Sequence, residues 1–177
     1  MKRRHLLLAA AGAGAGAAGL FWNRRQEQAA TPPPPELAAL WQARFARPEG
    51  GELEMASLLG PPVLLNFWGT WCPPCVKEMP ELDQFQREWA TGGHRAAGRV
   101  VGLAVDNPTA VREFLARRPV SYTIGLAGFE GTELSRQLGN TQGSLPFTAL
   151  FNRRGDVVQR KLGAVDLAEL RGWTRDL

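Results

Sequence analysis

An apolar run that leads directly into a Cys-Pro-Pro-Cys segment constrains this chain more than any other feature of its sequence. Residues 62–68 read PVLLNFW, with Asn66 as the only polar side chain, which is typical of a strand buried on both faces. Cys72 follows four residues later, and Pro73 and Pro74 suit the first turn of a helix, where N–H groups have no intrahelical partner. The pattern predicts a strand, a short turn and a helix with a cysteine at its N-terminus.

The rest of the chain alternates strand and helix patterns. Strands are predicted over 52–55, 62–68, 99–105, 122–126, 147–151 and 157–162, and helices over 35–45, 73–90, 108–117, 131–138 and from the N-cap Asp166 to Trp173. Strands separated by helices imply parallel pairing, and a closing hairpin with Gly155 at a positive φ adds an antiparallel edge. The predicted fold class is therefore α/β, with a mixed central sheet and helices on both faces.

The positive charge of the chain is confined to its N-terminus. The net charge is +4, but five of the 21 basic residues and no acidic residue lie in the first 25 positions. The remainder has a small excess of acid, and it shows no interleaved basic and aromatic stripe. This distribution argues against nucleic-acid binding.

The first 25 residues have the pattern of an export signal or a membrane anchor. Basic residues at 2–5 precede an uncharged Ala- and Gly-rich run at 6–22, and Arg3-Arg4 resembles a twin-arginine signal. The alternative is a buried Ala- and Gly-rich helix. Residues 26–47 are predicted to be a Pro-rich linker with a short helix, and 48–177 the folded domain. The location expected is the periplasm or the outer face of the cytoplasmic membrane.

The two cysteines, Cys72 and Cys75, are too close in sequence for a useful structural staple, because a disulfide that closes so small a loop restricts the unfolded chain little. They form either a redox pair or half of a zinc site, and zinc needs a second pair of ligands. The chain has no other cysteine, and its two histidines, His5 and His94, lie far apart in sequence. We therefore predict a redox pair, with no metal and no other cofactor.

The helix N-terminus assigns a role to each sulfur. The helix dipole is expected to stabilise a thiolate at an accessible Cys72, and the more buried Cys75 would resolve the mixed disulfide. Neither Pro73 nor Pro74 can donate an N–H to Cys72, so Cys75 is the nearest donor. A thiolate with so few donors favours the reduction of substrates over their oxidation.

The segment VLLNFWGTWCPPCVKEMPEL, residues 63–82, closely resembles the active-site segment of the TlpA/ResA-type thioredoxin-like proteins. The resemblance extends over about 48–175 in the order of elements, and it implies a thioredoxin-like fold. Members of this family are exported or membrane-tethered disulfide reductases. A membrane thiol transporter as electron donor and protein disulfides as substrates, with apocytochrome c as the best-known case, are implied by the resemblance alone.

The same resemblance suggests further site residues. SLPFTALFNRRGDVV, residues 144–158, is similar to the family's cis-proline strand and hairpin. It implies that Pro146 is cis and faces the cysteines, and that the backbone of Leu145 pairs with an extended substrate segment. The alternative is an ordinary trans proline that opens a strand.

Three more positions match or depart from family patterns. Glu78 matches an acidic residue thought to tune the cysteines or to aid proton transfer, and the alternative is an exposed helix glutamate. Asn66 stands where thioredoxins carry a buried aspartate, so that aspartate's general-base role is not expected here. Trp71, which together with Pro73 and Pro74 would border the substrate, is expected to shield Cys72.

Three other functions remain open at this stage. One is an oxidase or isomerase of the DsbA type in the same fold. Another is a non-enzymatic copper or metal chaperone of the cell envelope. The last is a binding module of thioredoxin fold in which the cysteines are incidental.

Overall fold

A mixed sheet of seven strands organises the chain in this computed structural model, which describes residues 34–91, 97–175 and 177. The strands are β1 (Arg44–Ala46), β2 (Glu52–Glu54), β3 (Val63–Trp68), β4 (Arg99–Ala104), β5 (Thr123–Leu126), β6 (Phe147–Phe151) and β7 (Val157–Leu162). Their order across the sheet is β2-β1-β5-β4-β3-β6-β7. The three strands at its centre, β5, β4 and β3, are parallel, and β6 and β7 continue the sheet in antiparallel fashion.

Five α-helices connect or flank these strands in the described ranges. They are α1 (Ala38–Gln42), α2 (Pro73–Ala90), α3 (Pro108–Arg117), α4 (Gly131–Gln137) and α5 (Leu167–Trp173). A 3₁₀ turn at Pro35–Leu37 leads into α1, and a second one at Met55–Leu58 follows β2. Asp166 caps α5 through a reciprocal capping box with Glu169, as its position predicted.

The central strand β3 separates two apolar clusters, one on each face of the sheet. All six of its residues are buried, and they alternate between the clusters because side chains of a strand point to opposite faces. Leu65 and Phe67 contact the cluster that includes Leu40 and Trp41 of α1. Leu64 and Trp68 contact the cluster under α2, α3 and α5. The predicted α/β architecture, a mixed sheet with helices on both faces, is therefore confirmed.

The N-terminal boundary of the domain differs from the prediction. The helix expected over 35–45 ends at Gln42, and Phe45 belongs instead to β1, which pairs with β2 and joins the sheet at Leu126. Leu37, Leu40 and Trp41 do have helical spacing, but Phe45 fits that spacing only by coincidence. The compact unit spans Pro33–Leu177, so much of the stretch assigned to a linker is part of the fold.

The predicted export signal at 1–25 lies outside the described residues, as does most of the Pro-rich spacer. Within the described part of the chain, no helix has both the length and the apolar content that a membrane crossing requires.

Two glycines on either side of β7, Gly155 in the β6–β7 turn and Gly163 after the strand, offer a paired test of backbone strain and steric space. Gly155 and Gly163 both have positive φ, at 82° and 96°. A Cβ at Gly155 would lie 2.9 Å from Nε1 of Trp41, whereas a Cβ at Gly163 would meet nothing within 4 Å. We expect Gly163→Ala to cost about 1 kcal/mol in the free energy of unfolding, from backbone strain alone. Gly155→Ala should cost about 2–3 kcal/mol, because it adds a clash with a buried indole.

Urea unfolding of the two variants measures the difference. Equal losses of stability in both would contradict the packing of Trp41 against this turn.

Candidate active site

The two cysteines form a disulfide at the N-terminus of α2. The Cys72–Cys75 S–S distance is 2.05 Å, and Cys72 is the N-cap residue of the helix. Pro73 and Pro74 occupy its first turn, as predicted, and both are exposed. The backbone N–H of Cys75 donates to Sγ of Cys72 over 3.3 Å, which confirms Cys75 as a donor to that sulfur. The helix N-terminus and this N–H group both favour negative charge on Cys72.

The accessibility of Cys72 differs from the prediction. Cys72 is 4% exposed and Cys75 0%, so the order is as predicted, but the expectation of an openly accessible first cysteine is wrong for this disulfide form. The cause is packing, because both residues belong to the apolar cluster under α2, against which Leu145 also packs. A reaction partner must therefore reach Cys72 through a narrow opening.

Two groups at the end of β4 fix the turn that presents Cys72. The carboxylate of Asp106 accepts hydrogen bonds from the backbone N–H of Thr70 at 2.7 Å and from its hydroxyl at 2.6 Å. The carbonyl oxygen of Val105 accepts one from the indole N–H of Trp71 at 3.2 Å. These bonds attach the turn between β3 and α2 to the neighbouring strand. Sequence reasoning missed Asp106, although a polar residue that follows a buried parallel strand is a usable signal.

Trp71 lies on the outer side of this turn. Its ring packs so closely on Gly69 that a Cβ there would lie 2.8 Å from Nε1 of Trp71, yet the residue is 59% exposed. The ring therefore covers Gly69, and the shielding of Cys72 stays a prediction.

Glu78 is buried one turn beyond Cys75, so the exposed-glutamate alternative is wrong. Its Oε1 accepts a hydrogen bond from Nδ2 of Asn66, and its Oε2 accepts one from the backbone N–H of Val165, both at 2.8 Å. Nδ2 of Asn66 also donates to Oγ1 of Thr148 over 3.0 Å. The carboxyl group thus joins α2, β3, β6 and the segment before α5.

Burial raises the pKa of Glu78 from 4.5 to about 7. The hydrogen bonds from Val165 and Asn66 and the positive charge of Lys161 oppose this rise without cancelling it. A carboxyl group with a pKa near neutrality can give or take a proton at the working pH of an enzyme, which is the property that general acid–base chemistry needs.

Thr148 and Val165 of this network were not predicted from the sequence. Thr148 becomes a neighbour of Asn66 only through the antiparallel pairing of β3 with β6, and Val165 contributes a backbone group that any residue type except proline would supply.

Pro146 is preceded by a cis peptide bond, as expected. The register that pairs Phe67 with Phe147 puts Pro146 beside Trp68, at the end of β3 from which the chain continues to Cys72. Leu145 is half-buried and packs against the cluster that contains both cysteines. The candidate substrate-binding residues are therefore gathered at one end of the sheet.

Among the residues that the structure describes, no group of three or more His, Cys, Asp or Glu side chains is arranged to hold a metal ion. His5 and His94 lie outside these residues.

Comparison with known proteins agrees with this geometry. Residues 42–172 match the Redoxin family. The chain belongs to the Redoxin family. Within it, the chain is 30% identical over 131 residues to the thiol-disulfide oxidoreductase ResA of a Bacillus cereus strain, an alignment that covers 73% of this chain and 70% of the relative. The resemblance to ResA-type proteins is thereby confirmed.

Solved structures of thioredoxin-like proteins show the same fold. A thioredoxin-related protein from Neisseria meningitidis serogroup B superposes with a TM-score of 0.61 at 31% identity, covering 73% of this chain and 95% of that one. A secreted disulfide oxidoreductase of Mycobacterium tuberculosis, homologous to E. coli DsbE, gives 0.62 at 24% identity, with coverage of 79% and 99%. This Redoxin-family chain is thus a thioredoxin-like thiol–disulfide oxidoreductase.

Glu78 should make the stability of this Redoxin-family protein depend on pH. In the unfolded chain Glu78 ionises above its ordinary pKa of 4.5, whereas the folded protein keeps it protonated up to about 7. The stabilising contribution is therefore complete below pH 4.5 and is lost as pH rises through about 7. The loss should be on the order of 3 kcal/mol. Glu78→Gln should remove this dependence.

Urea unfolding of the oxidised protein across this pH range measures the effect. Glu81→Gln is the matched control, since Glu81 is on the same helix and accepts the N–H of Leu167 but is only half-buried. If the curves of the wild-type protein and Glu78→Gln ran parallel, the assignment of a raised pKa to Glu78 would be wrong.

Proposed function

We propose that this oxidoreductase reduces disulfide bonds of polypeptides outside the cytoplasm. The observation that carries the proposal is the dithiol pair at the start of α2, with the N–H of Cys75 directed at Sγ of Cys72. The group that is stabilised there is a thiolate at Cys72, the form in which cysteine attacks a disulfide.

The reaction has two exchange steps. The Cys72 thiolate attacks one sulfur of the substrate disulfide, which forms a mixed disulfide and releases the other substrate sulfur as a thiolate. Cys75 then loses its proton and attacks Sγ of Cys72, which forms the Cys72–Cys75 disulfide and releases the second substrate thiol. Two electrons pass from the dithiol to the substrate, and the oxidised pair matches the form seen in the structure.

We propose that Glu78 accepts the proton that Cys75 loses. It lies three residues after Cys75 on α2, both residues are buried, and its raised pKa allows it to accept a proton near neutral pH. Water reaches this position poorly, so a carboxyl group inside the protein is needed to move the proton.

The few hydrogen-bond donors at Cys72 support the proposed direction of electron flow. Pro73 and Pro74 have no N–H, so the helix start offers the sulfur fewer hydrogen bonds than other residues would. A less stabilised thiolate makes the reduced pair a better electron donor. A membrane thiol transporter is the proposed source of electrons, and the N-terminal 25 residues, with the uncharged run at 6–22, would export or anchor the protein.

Substrates of this kind include apocytochrome c, as the ResA resemblance implies. The backbone of Leu145 and the exposed Trp71, Pro73 and Pro74 would border the bound polypeptide.

Trapping identifies the substrates. We expect Cys75→Ser to accumulate mixed disulfides through Cys72, because the resolving thiol is absent, and mass spectrometry then names the partners. Cys72→Ser is the control and should trap none through this site. Recovery of no partner with Cys75→Ser, in cells grown under reducing and oxidising conditions, would contradict the proposed enzymatic role.

The reduction potential of the Cys72–Cys75 pair tests the proposed direction of electron flow. We expect a value well below the roughly −120 mV of a strong oxidant of the DsbA type, measured by equilibration with glutathione or dithiothreitol. A potential near this oxidant's value would instead identify an oxidase or isomerase.

A further inference from the structure

Two large aromatic side chains are exposed at the end of the sheet where the disulfide lies. Trp71 is 59% exposed and Phe129 is 69% exposed. Among the described residues, the other exposed large apolar side chains are those of Val158 and Leu162 in the edge strand β7. Single exposed apolar residues are common on proteins, so exposure alone does not imply a function. What suggests a function is the position of the two aromatic residues and the hydrogen bonds in the segments that carry them.

Hydrogen bonds hold the segments that carry both rings. The indole N–H of Trp71 donates to the carbonyl oxygen of Val105, which fixes the ring while most of the residue stays in solvent. Phe129 lies in a turn in which Gly131 donates to the carbonyl of Gly128 at 3.1 Å and Thr132 to that of Phe129 at 3.2 Å. Gly128 makes this turn possible with a φ of 59°. Contact with the Trp71 ring therefore costs little conformational entropy, and the backbone that carries Phe129 is fixed by its turn.

The two residues lie at the same end of the sheet. Trp71 follows β3, and its indole is bound to Val105, the residue after β4, whereas Phe129 follows β5 closely. Strands β4 and β5 are parallel neighbours, about 4.8 Å apart. The N–H of Ala127 donates to the carbonyl of Ala104 at 3.0 Å, which extends this pairing to one residue beyond β5, two residues before Phe129. We call Trp71 and Phe129 together the aromatic platform.

The geometry points to the aromatic platform as a binding surface for an apolar side chain of the substrate polypeptide, close to the substrate's cysteine. This inference rests on the proposed function. Cys72 is only 4% exposed, so a polypeptide that delivers a sulfur to it must contact the residues around it, and Trp71 directly precedes Cys72 in the turn that presents it. Phe129 follows β5, at the same end of the sheet. The partner chemistry that fits is a flexible segment with an aromatic or large aliphatic residue near its cysteine.

The platform gives Phe129 a role in selecting substrates without a role in the chemistry at sulfur. Phe129→Ser should therefore weaken the reaction only with substrates that carry an apolar residue beside the cysteine. Val158→Ser is the matched control, since it removes an exposed apolar side chain of the edge strand β7 near the β6–β7 turn, at the opposite end of the sheet from Pro146.

Three test substrates, each a disulfide, distinguish an effect on substrate selection from an effect on the chemistry at sulfur. They are a disulfide-linked peptide with phenylalanine near the cysteine, the same peptide with serine in that position, and hydroxyethyl disulfide, which is too small to span the platform. We expect Phe129→Ser to lower kcat/KM for the phenylalanine peptide about tenfold and to leave the other two within about twofold. Val158→Ser should leave all three unchanged.

Equal losses with all three disulfides, no loss with the phenylalanine peptide, or the same loss in Val158→Ser would overturn the inference. Failure of the proposed function looks different, because the wild-type protein would then reduce none of the three. In that case calorimetric titration with the phenylalanine peptide, its cysteine replaced by serine, decides the matter. Weaker binding to Phe129→Ser than to Val158→Ser supports the platform, and equal binding rejects it.

Discussion

The placement of Cys72 at the start of α2, within reach of the N–H of Cys75, is the interaction on which the rest of the site depends. Strand β3 sets it up, because a fully buried central strand fixes where the chain leaves the sheet. The hydrogen bonds that Asp106 and Val105 accept then hold the turn that follows. Without this frame the helix dipole and the N–H would not be directed at one sulfur.

Glu78 adds a second demand that the fold must meet. A carboxyl group buried beneath α2 is unfavourable when ionised, and two hydrogen bonds only partly offset that cost. These bonds come from β3 and from the segment before α5, so residues far apart in sequence must come together to receive one side chain. A group held at such a cost near a redox pair is characteristic of functional sites.

Sequence reasoning succeeded where one local pattern determined the outcome. The apolar run and the two prolines defined β3 and the start of α2, and Asp166 marked the start of α5. Sequence reasoning failed where pairing between distant parts of the chain determined the structure. Phe45 fits a helical stripe, but it lies in β1 because β2 and β5 offer it partners there. The burial of Glu78 and the contacts of Thr148 and Val165 likewise depend on neighbours that no local pattern specifies.

Asn66 has a consequence for how the buried carboxyl group changes its protonation. Its Nδ2 donates hydrogen bonds to Glu78 and Thr148. Its Oδ1 is buried and has no hydrogen-bond partner among the described residues. An amide offers donors on one side and an acceptor on the other, so a half-turn of this side chain would present Oδ1 to a Glu78 that has become a donor. An aspartate here would bring a second charge. The amide leaves β3 neutral, so Glu78 is the one carboxyl group in this hydrogen-bond network.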